Sequence, residues 1–424
     1  MTGRASLFAA LTHRNFRWLW GGTFCSTAGQ WIQNATLGWV TYELTGSGTL
    51  LGAVLGVRAI PMLLLAPLAG MVADRYDRRR ALSLSQILMS AASFALAAAL
   101  ALHAAQVWHL FAFTLCAGAS ATFDRTLRSA LVFDVVPRAD FSNAVALNTI
   151  AFSSSRAVGP AAAGVLIAWV GSAWNFAIQG LLYLGVVASV LMIAVPQRAH
   201  HGKPRGSAWS DMRDGLRYAV TNPVARMMML LGVLPPILLI PSFSALMPVF
   251  AVKIFMTGPE GLGLLLSAVG VGGIVGGVIA ASVSRYDRIG LLQIASLLAF
   301  ALAIIGFALS PGYGIALVFL VAAGAAEMVL ATSNVTTLQM CAPQDMRGRI
   351  ASLLMVFPAL ISVGSLTSGT GADLLGAQVV AVLLAAVAIC AAVASWIRSS
   401  VLRNLRLSKL VTAGEGTTTR SGLV

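Results

Sequence analysis

Charge is scarce in this sequence. Of its 424 residues only 10% are Asp, Glu, Lys or Arg, whereas soluble domains average about 25%. So few charges cannot cover a water-exposed globular surface. Acids are scarcer still, 14 against 28 basic residues. Cysteine is rare: Cys25, Cys116, Cys341 and Cys390 fall inside apolar runs at no metal-ligand spacing. They read as small buried side chains, with no disulfide framework. Apolar runs without the ten-residue alternation of a β-barrel argue against that architecture. No H-E-x-x-H, no G-x-S-x-G and no acid cluster at metal spacing is present. His103 and His109 lie near an external surface and His200 and His201 in a linker. An intramembrane enzyme therefore has no candidate centre, and no cofactor or metal is expected. The Gly-rich stretch GVGGIVGG, Gly270 to Gly277, lacks the Lys and Ser/Thr of a phosphate loop and does not fit G-x-G-x-x-G. Gly272 with Gly276, and Gly273 with Gly277, suit close helix packing instead.

What the chain has is apolar length. Hydrophobic residues make up 58% of it, with a mean hydropathy of +0.86. A spanning helix takes roughly 20 apolar residues, so there is room for about a dozen. Apolar runs between polar breaks place helices near 17–43, 49–73, 81–102, 107–135, 141–170, 173–195, 224–254, 260–283, 289–309, 313–340, 349–373 and 376–398. This predicts an all-α integral membrane protein of twelve transmembrane helices. With both termini inside, cytoplasmic segments hold 23 of the 28 basic residues, external loops hold only Lys253, and four lie within helices. That split follows the positive-inside rule. The net charge of +14 therefore reports topology, and its scatter over short loops argues against a nucleic-acid surface. No cleavage site precedes the first helix, so no processing is expected.

The chain repeats itself. DRYDR at Asp74 is echoed by SRYDR at Ser284, an offset of 210. Pro137 with Asp140, and Pro343 with Asp345, stand at an offset of 206. Such repeats are a feature of secondary transporters with a site between the halves. The expected organisation is a six-helix half at 1–197, a cytoplasmic linker at 198–222, a second six-helix half at 223–400 and a cytoplasmic tail at 401–424. Within the linker, Trp209, Met212, Leu216 and Ala219 recur at spacings of three and four. They predict a short amphipathic helix, capped by Ser207 or Ser210, with Asp211 in its first turn and ended at Asn222-Pro223. It lies on the membrane interface or packs under the bundle.

The segment WIQNATLGWVTYELTGSGTLLGAVLGVRAIPMLLLAPLAGMVADRYDRRRAL resembles the major facilitator superfamily, as does FDRTLRSALVFDVVPRADFSNAVALNTIAFSSSRAVGPAAAG. Within it, they are similar to the branch of bacterial exporters that includes the enterobactin exporter and related drug and secondary-metabolite efflux proteins. The resemblance covers nearly the whole chain. It implies a major facilitator fold and efflux of small amphiphilic molecules by alternating access, with protons as coupling ion, working as a monomer. An uptake symporter or a lipid flippase of the same fold is the alternative. The expected site is a bacterial plasma or inner membrane, with both termini cytoplasmic and lipid and a small-molecule substrate as partners. By the same resemblance the charged loop latches the cytoplasmic side, with Gly70, Asp74, Arg75, Arg78, Asp287 and Arg288 as its residues. Gly70, read as ending its helix, would let a neighbouring helix approach closely. Arg78 to Arg80 also serve as topology anchors. Two departures stand out: the second loop copy has Ser284 for Asp74 and no Arg run, and VGPAAAG only approximates the Gly-Pro element of superfamily antiporters.

Charges inside spans are the other informative set. Insertion scales put one at a helix centre at roughly +2.5 to +3.5 kcal/mol, so Arg58, Asp124, Arg125, Arg156 and Glu327 are expected to face the protein interior. At about 1.5 Å per residue, Arg58 lies near mid-depth, as does Arg156. Asp124 and Arg128, four apart, suit an ion pair on one helix face. Two central cations point to a cargo with anionic or electron-rich groups, unless Glu327 or Asp124 neutralises one. Proton coupling needs an acid that moves between apolar and cationic surroundings, and Glu327, then Asp124, are its candidates. Ser26, Gln30, Gln33 and Asn34 form one polar stripe with Trp31 and Trp39 nearby. It reads either as a cavity wall or as amide bonding between helices. Gln30, Gln33, Asn34, Arg58 and Arg156 are the candidate substrate-cavity residues.

Overall fold

The computed structural model describes residues 8–194, 208–283, 286–343, 346–354 and 357–408. Every regular element among them is helical, as the long apolar runs require, since backbone polar groups in hydrocarbon must be satisfied within their own segment. The first part comprises α1 (Arg14–Thr45), α2 (Gly48–Gly56), α3 (Ala59–Arg75), α4 (Arg78–Ala101), α5 (Val107–Val135), α6 (Phe141–Val170) and α7 (Ser172–Leu191). After the linker come α8 (Ala208–Thr221), α9 (Pro223–Leu234), α10 (Ile240–Ser244), α11 (Met247–Val249), α12 (Pro259–Ser282) and α13 (Ile289–Ala308). The chain ends with α14 (Tyr313–Cys341), α15 (Arg347–Leu354), α16 (Phe357–Leu375), α17 (Ala377–Arg398) and α18 (Ser400–Arg403). Among the described residues nine helical stretches are long and apolar enough to cross a membrane. The long helices α1, α5 and α16 fall outside that set, each diluted with hydroxyl, amide or charged residues.

The chain divides into two compact units. Unit 1 is Met1–Lys203 with Ala251–Ser267, and unit 2 is Pro204–Phe250 with Ala268–Val424. In unit 1, α1 packs on α6 and α7, and α4 on α5 and α7, around a core including Phe16, Leu19, Leu110, Leu127, Phe176 and Val186. The segment 251–267 belongs to this unit because small residues let backbones meet. A Cβ on Gly164 would lie 2.4 Å from the Pro259 carbonyl oxygen, and one on Gly263 2.5 Å from that of Pro160. Ser267 Oγ accepts a bond from the Ala161 amide at 2.9 Å. In unit 2, α13 packs on α14 and α17.

Two runs read as single helices are interrupted. The run near 49–73 breaks at Val57-Arg58 between α2 and α3. Pro61 explains the break, since it has no N–H for the Val57 carbonyl and its ring crowds that oxygen. The run near 224–254 is divided by Pro235, Pro236, Pro241 and Pro248 into α9, α10 and α11, with wide π turns at Pro235–Leu239 and Phe250–Ile254. The amphipathic segment does form α8, and Asn222 caps α9 through the amides of Val224 and Ala225 at 3.0 Å each. Of the expected apolar face Ala219 is buried, beside Gly215, whereas Leu216 is exposed like Val220, and the side chains of Trp209 and Met212 lie outside those described. Gly215 packs against the Arg349 carbonyl, and Tyr218 donates to the Cys341 carbonyl at 2.6 Å, so helices α14 and α15 set the inward face. Burial pushes the Tyr218 hydroxyl pKa up. The expected caps Ser207 and Ser210, and Asp211, lie outside the described residues or side chains.

Gly272 and Gly276 meet α14, where added Cβ atoms would lie 2.1 Å from the Val321 oxygen and 2.3 Å from that of Ala325. Gly277 faces open space, so its expected part in that packing is not realised. Cys116 and Cys390 are exposed on their helices rather than buried.

Candidate functional site

Unit 1 carries a polar network inside its apolar core. At its centre Asp124 of α5 receives Arg128 Nη2 at 2.5 Å on Oδ1 and Arg128 Nε at 3.2 Å on Oδ2. The i,i+4 spacing brings the two side chains onto one face. They are only 10% and 9% exposed, so each needs the other. Gln86 of α4 donates to Asp124 at 3.2 Å, and Ser26 of α1 at 3.4 Å. Gln30 donates to Ser26 at 3.2 Å, and Arg128 reaches Thr23 at 3.3 Å. One carboxylate thus ties α1 and α4 to α5.

Beside this network lies a cleft of about 210 Å³, lined by Gln30, Gln33, Arg58, Gln86, Ala117, Ser120, Ala121, Asp124 and Tyr183. Gln33 accepts from Gln179 of α7 at 2.5 Å, and Asn34 accepts from Arg58 Nη1 at 3.1 Å. The amide stripe of α1 therefore does both things its spacing allows: it bonds helix to helix and it walls a cavity. Arg58 stands where α2 breaks into α3, and Gly118 of α5 makes room there. A Cβ on Gly118 would meet Pro61 Cγ at 2.6 Å and the Arg58 oxygen at 2.7 Å. Gln86, Gly118, Ser120, Gln179 and Tyr183 went unread in the sequence. An amide in an apolar helix was the available signal for Gln86 and Gln179; Gly118 had none, because its role depends on a break in another helix.

Other candidates lie apart from this cleft. Arg156 stacks over Trp31, 5.6 Å from the ring centroid, and Trp31 meets Phe152 edge-on at 5.7 Å. It does not line the cleft with Arg58. Glu327 is partly buried on α14 in unit 2. Arg125 is exposed on α5.

The charged loop resolves into distinct roles. Helix α3 continues past Gly70 to Arg75, so Gly70 does not end it, and a Cβ at Gly70 would meet nothing within 4 Å. Among the described residues no neighbouring helix approaches there, contrary to expectation. Asp74 and Arg75 are exposed and make no hydrogen bond or ion pair among the described residues. Asp77 caps α4, accepting from Arg79 and Arg80 amides at 2.8 and 3.1 Å. Arg78 pairs with Asp134 of α5 at 2.8 Å and donates to the Ala73 carbonyl. Arg79 donates to the Val190 and Leu191 carbonyls at the end of α7. In the second loop copy, Asp287 Oδ1 accepts from the Ser408 amide at 3.0 Å, and its carbonyl accepts from Leu407 at 2.8 Å. The Ser408 amide holds the Asp287 carboxyl pKa below its ordinary value. Arg288 precedes α13 without a side-chain cap bond. Ser284 and Asp345 lie outside the described residues.

A family model described as transmembrane secretion effector, of the major facilitator superfamily, matches residues 5–411. The chain belongs to this family. It is 23% identical to the staphyloferrin A transporter of Staphylococcus aureus, over 85% of this chain and 90% of that protein. It is 25% identical to the enterobactin exporter of Citrobacter koseri, over 74% of this chain and 71% of that one. The multidrug efflux pump Tap of Mycolicibacterium fortuitum is 26% identical over 82% and 83%. A solved nucleoside transporter shares the fold with a TM-score of 0.72 at 17% identity, covering 91% of this chain and 99% of that one. The chain is thus a membrane transporter whose relatives include an enterobactin exporter and a multidrug efflux pump.

Proposed function

We propose that this secretion effector is a secondary active exporter of small amphiphilic molecules, driven by proton antiport through alternating access. The observation that carries the reading is the polar cleft of unit 1, walled by Gln30, Gln33 and Arg58, within a helical chain of this family. A cleft with a few converging polar groups among apolar helices suits a ligand, and the relatedness to an enterobactin exporter and a multidrug efflux pump supplies the direction. Counting α1, α5 and α16 as further crossings makes twelve spans, in six-helix halves at 1–197 and 223–400 joined by the linker 198–222. Both termini, including the tail 401–424, lie in the cytoplasm of a bacterial inner membrane, and the protein works as a monomer. Gln86 donating from α4 to α5 and Gln293 donating from α13 to Ser333 of α14 at 2.9 Å support the repeat.

Within this reading Gln30, Gln33, Asn34 and Arg58 contact the cargo, and Arg156 stiffens the Trp31 wall. Glu327 is the first candidate to carry the proton, being the acid of α14, and Asp124 the second. Asp74 and Arg75, exposed at the end of α3, are the loop residues left to bias the two-state equilibrium. Arg78 and Asp287 hold their own units together, and Gly70 and Arg288 have no contact that assigns them a part. The test compares metabolites inside and outside cells expressing the wild type or Glu327→Gln at matched membrane levels. Accumulation outside that depends on the wild type supports export and identifies a cargo; accumulation inside replaces export with uptake.

A further inference from the structure

Arg58 is the one cation on the wall of the unit 1 cleft, and nothing among the described residues neutralises it. Its guanidinium has five N–H donors, of which one bond, to Asn34, is made. No carboxylate lies within ion-pair distance of it among the described residues. Asp124 lines the same cleft, but Arg128, Gln86 and Ser26 already engage both its oxygens. Arg125 acts on Arg58 as a like charge. Cations inside a protein are normally paired. This one faces a cavity and has no anionic partner among the described residues, which leaves it open to an anion brought by a ligand.

We propose that Arg58 is the charge-recognition group of the cargo site and that the cargo presents a carboxylate to it. This rests on the export reading and narrows it to an acidic class of substrate. A planar fork of donors matches a carboxylate in bidentate fashion, and Asn34 fixes the fork from one side. The open space in the cleft is far below the roughly 300–1,000 Å³ of pockets that enclose drug-sized ligands and admits only a group of about water size. It takes the acidic end of the cargo, not the whole. Gln86 Oε1, buried and without a partner among the described residues, offers an acceptor to a hydroxyl or N–H beside that acid. An anionic lipid phosphate has the same charge chemistry, and the experiment separates it.

The test is the thermal stability of purified protein in phosphatidylcholine nanodiscs with sodium benzoate or with benzamide, which keeps the shape and removes the charge. Wild type is expected to gain several degrees with benzoate and none with benzamide. Arg58→Gln should lose the gain, its half-saturating concentration rising by about tenfold or more. Arg58→Lys, which keeps the charge without the fork, should retain part of it. Equal shifts with the two compounds overturn the proposal, and so does an unchanged response in either variant. If phosphatidylglycerol in the disc abolishes the benzoate gain, the anion at Arg58 is a lipid and the cargo assignment falls. Binding is read without transport, so cells that export while benzoate and benzamide behave alike sink this inference and leave export standing. Discrimination at Arg58 without export sinks the export reading alone.

Discussion

Arg58 and Asp124 show how far a single charge can be read. Both were placed inward by the cost of facing lipid, and the i,i+4 spacing anticipated the Arg128 partner of Asp124. Which cation stays unpaired was not legible, because pairing across helices depends on rotation and depth that one sequence does not reveal. Removing one partner of a buried pair strands the other, at a cost of about 3–5 kcal/mol. Asp124→Asn is therefore expected to destabilise the detergent-solubilised protein on that scale. Adding Arg128→Gln should recover part of the loss; a double variant as unstable as the sum of the singles contradicts a direct pair. Gly118→Val forces a side chain against Pro61 and the Arg58 carbonyl. An overpacking loss of about 1–3 kcal/mol should appear as a lower melting temperature, and a neutral variant would remove the close approach from the account.

At the scale of elements, most helices were visible because apolar runs end at charges, Gly or Pro. The breaks inside 49–73 and 224–254 were missed because hydropathy passes through Pro61, Pro235 and Pro241 without a dip. On α8 the expectation held at Ala219 and failed at Leu216, because periodicity sees the helix alone while α14 and α15 select Gly215 and Ala219 as its inner side. The knot after α3 looked like one device by resemblance. The structure separates it into a cap, two ties and an exposed pair. Asp77→Ala removes the cap of α4 and should cost about 1 kcal/mol, measurable by thermal unfolding. Asp287 makes a pH prediction. Its carboxyl pKa is lowered in the folded state, so its contribution is present above the ordinary value of 3.8 and is lost as pH falls through the lower folded value. Amide exchange at Leu407 and Ser408 should therefore stay slow at neutral pH and accelerate in acid. In Asp287→Asn it should be faster at neutral pH and lose that acid step. Exchange independent of pH in the wild type, after correction for intrinsic rates, would contradict the clamp.

At the scale of the molecule, class was the most legible feature, since scarcity of charge is a property of the whole chain. The family followed from the charged loop and the segment from Phe123 to Gly164. Gln86 and Gln293, at an offset of 207 close to the 206 and 210 of the loop matches, went unread in the sequence and fit the proposed repeat. The chemistry of transport was the least legible, because it belongs to differences between states. The measurement that tests it most directly uses everted vesicles whose respiration acidifies the lumen, with a fluorescent pH probe. The added compound is one enriched outside wild-type cells. Antiport predicts that it dissipates the gradient with the wild type and leaves it unchanged with Glu327→Gln at equal protein level. A gradient untouched by the compound in wild-type vesicles would contradict proton-coupled export.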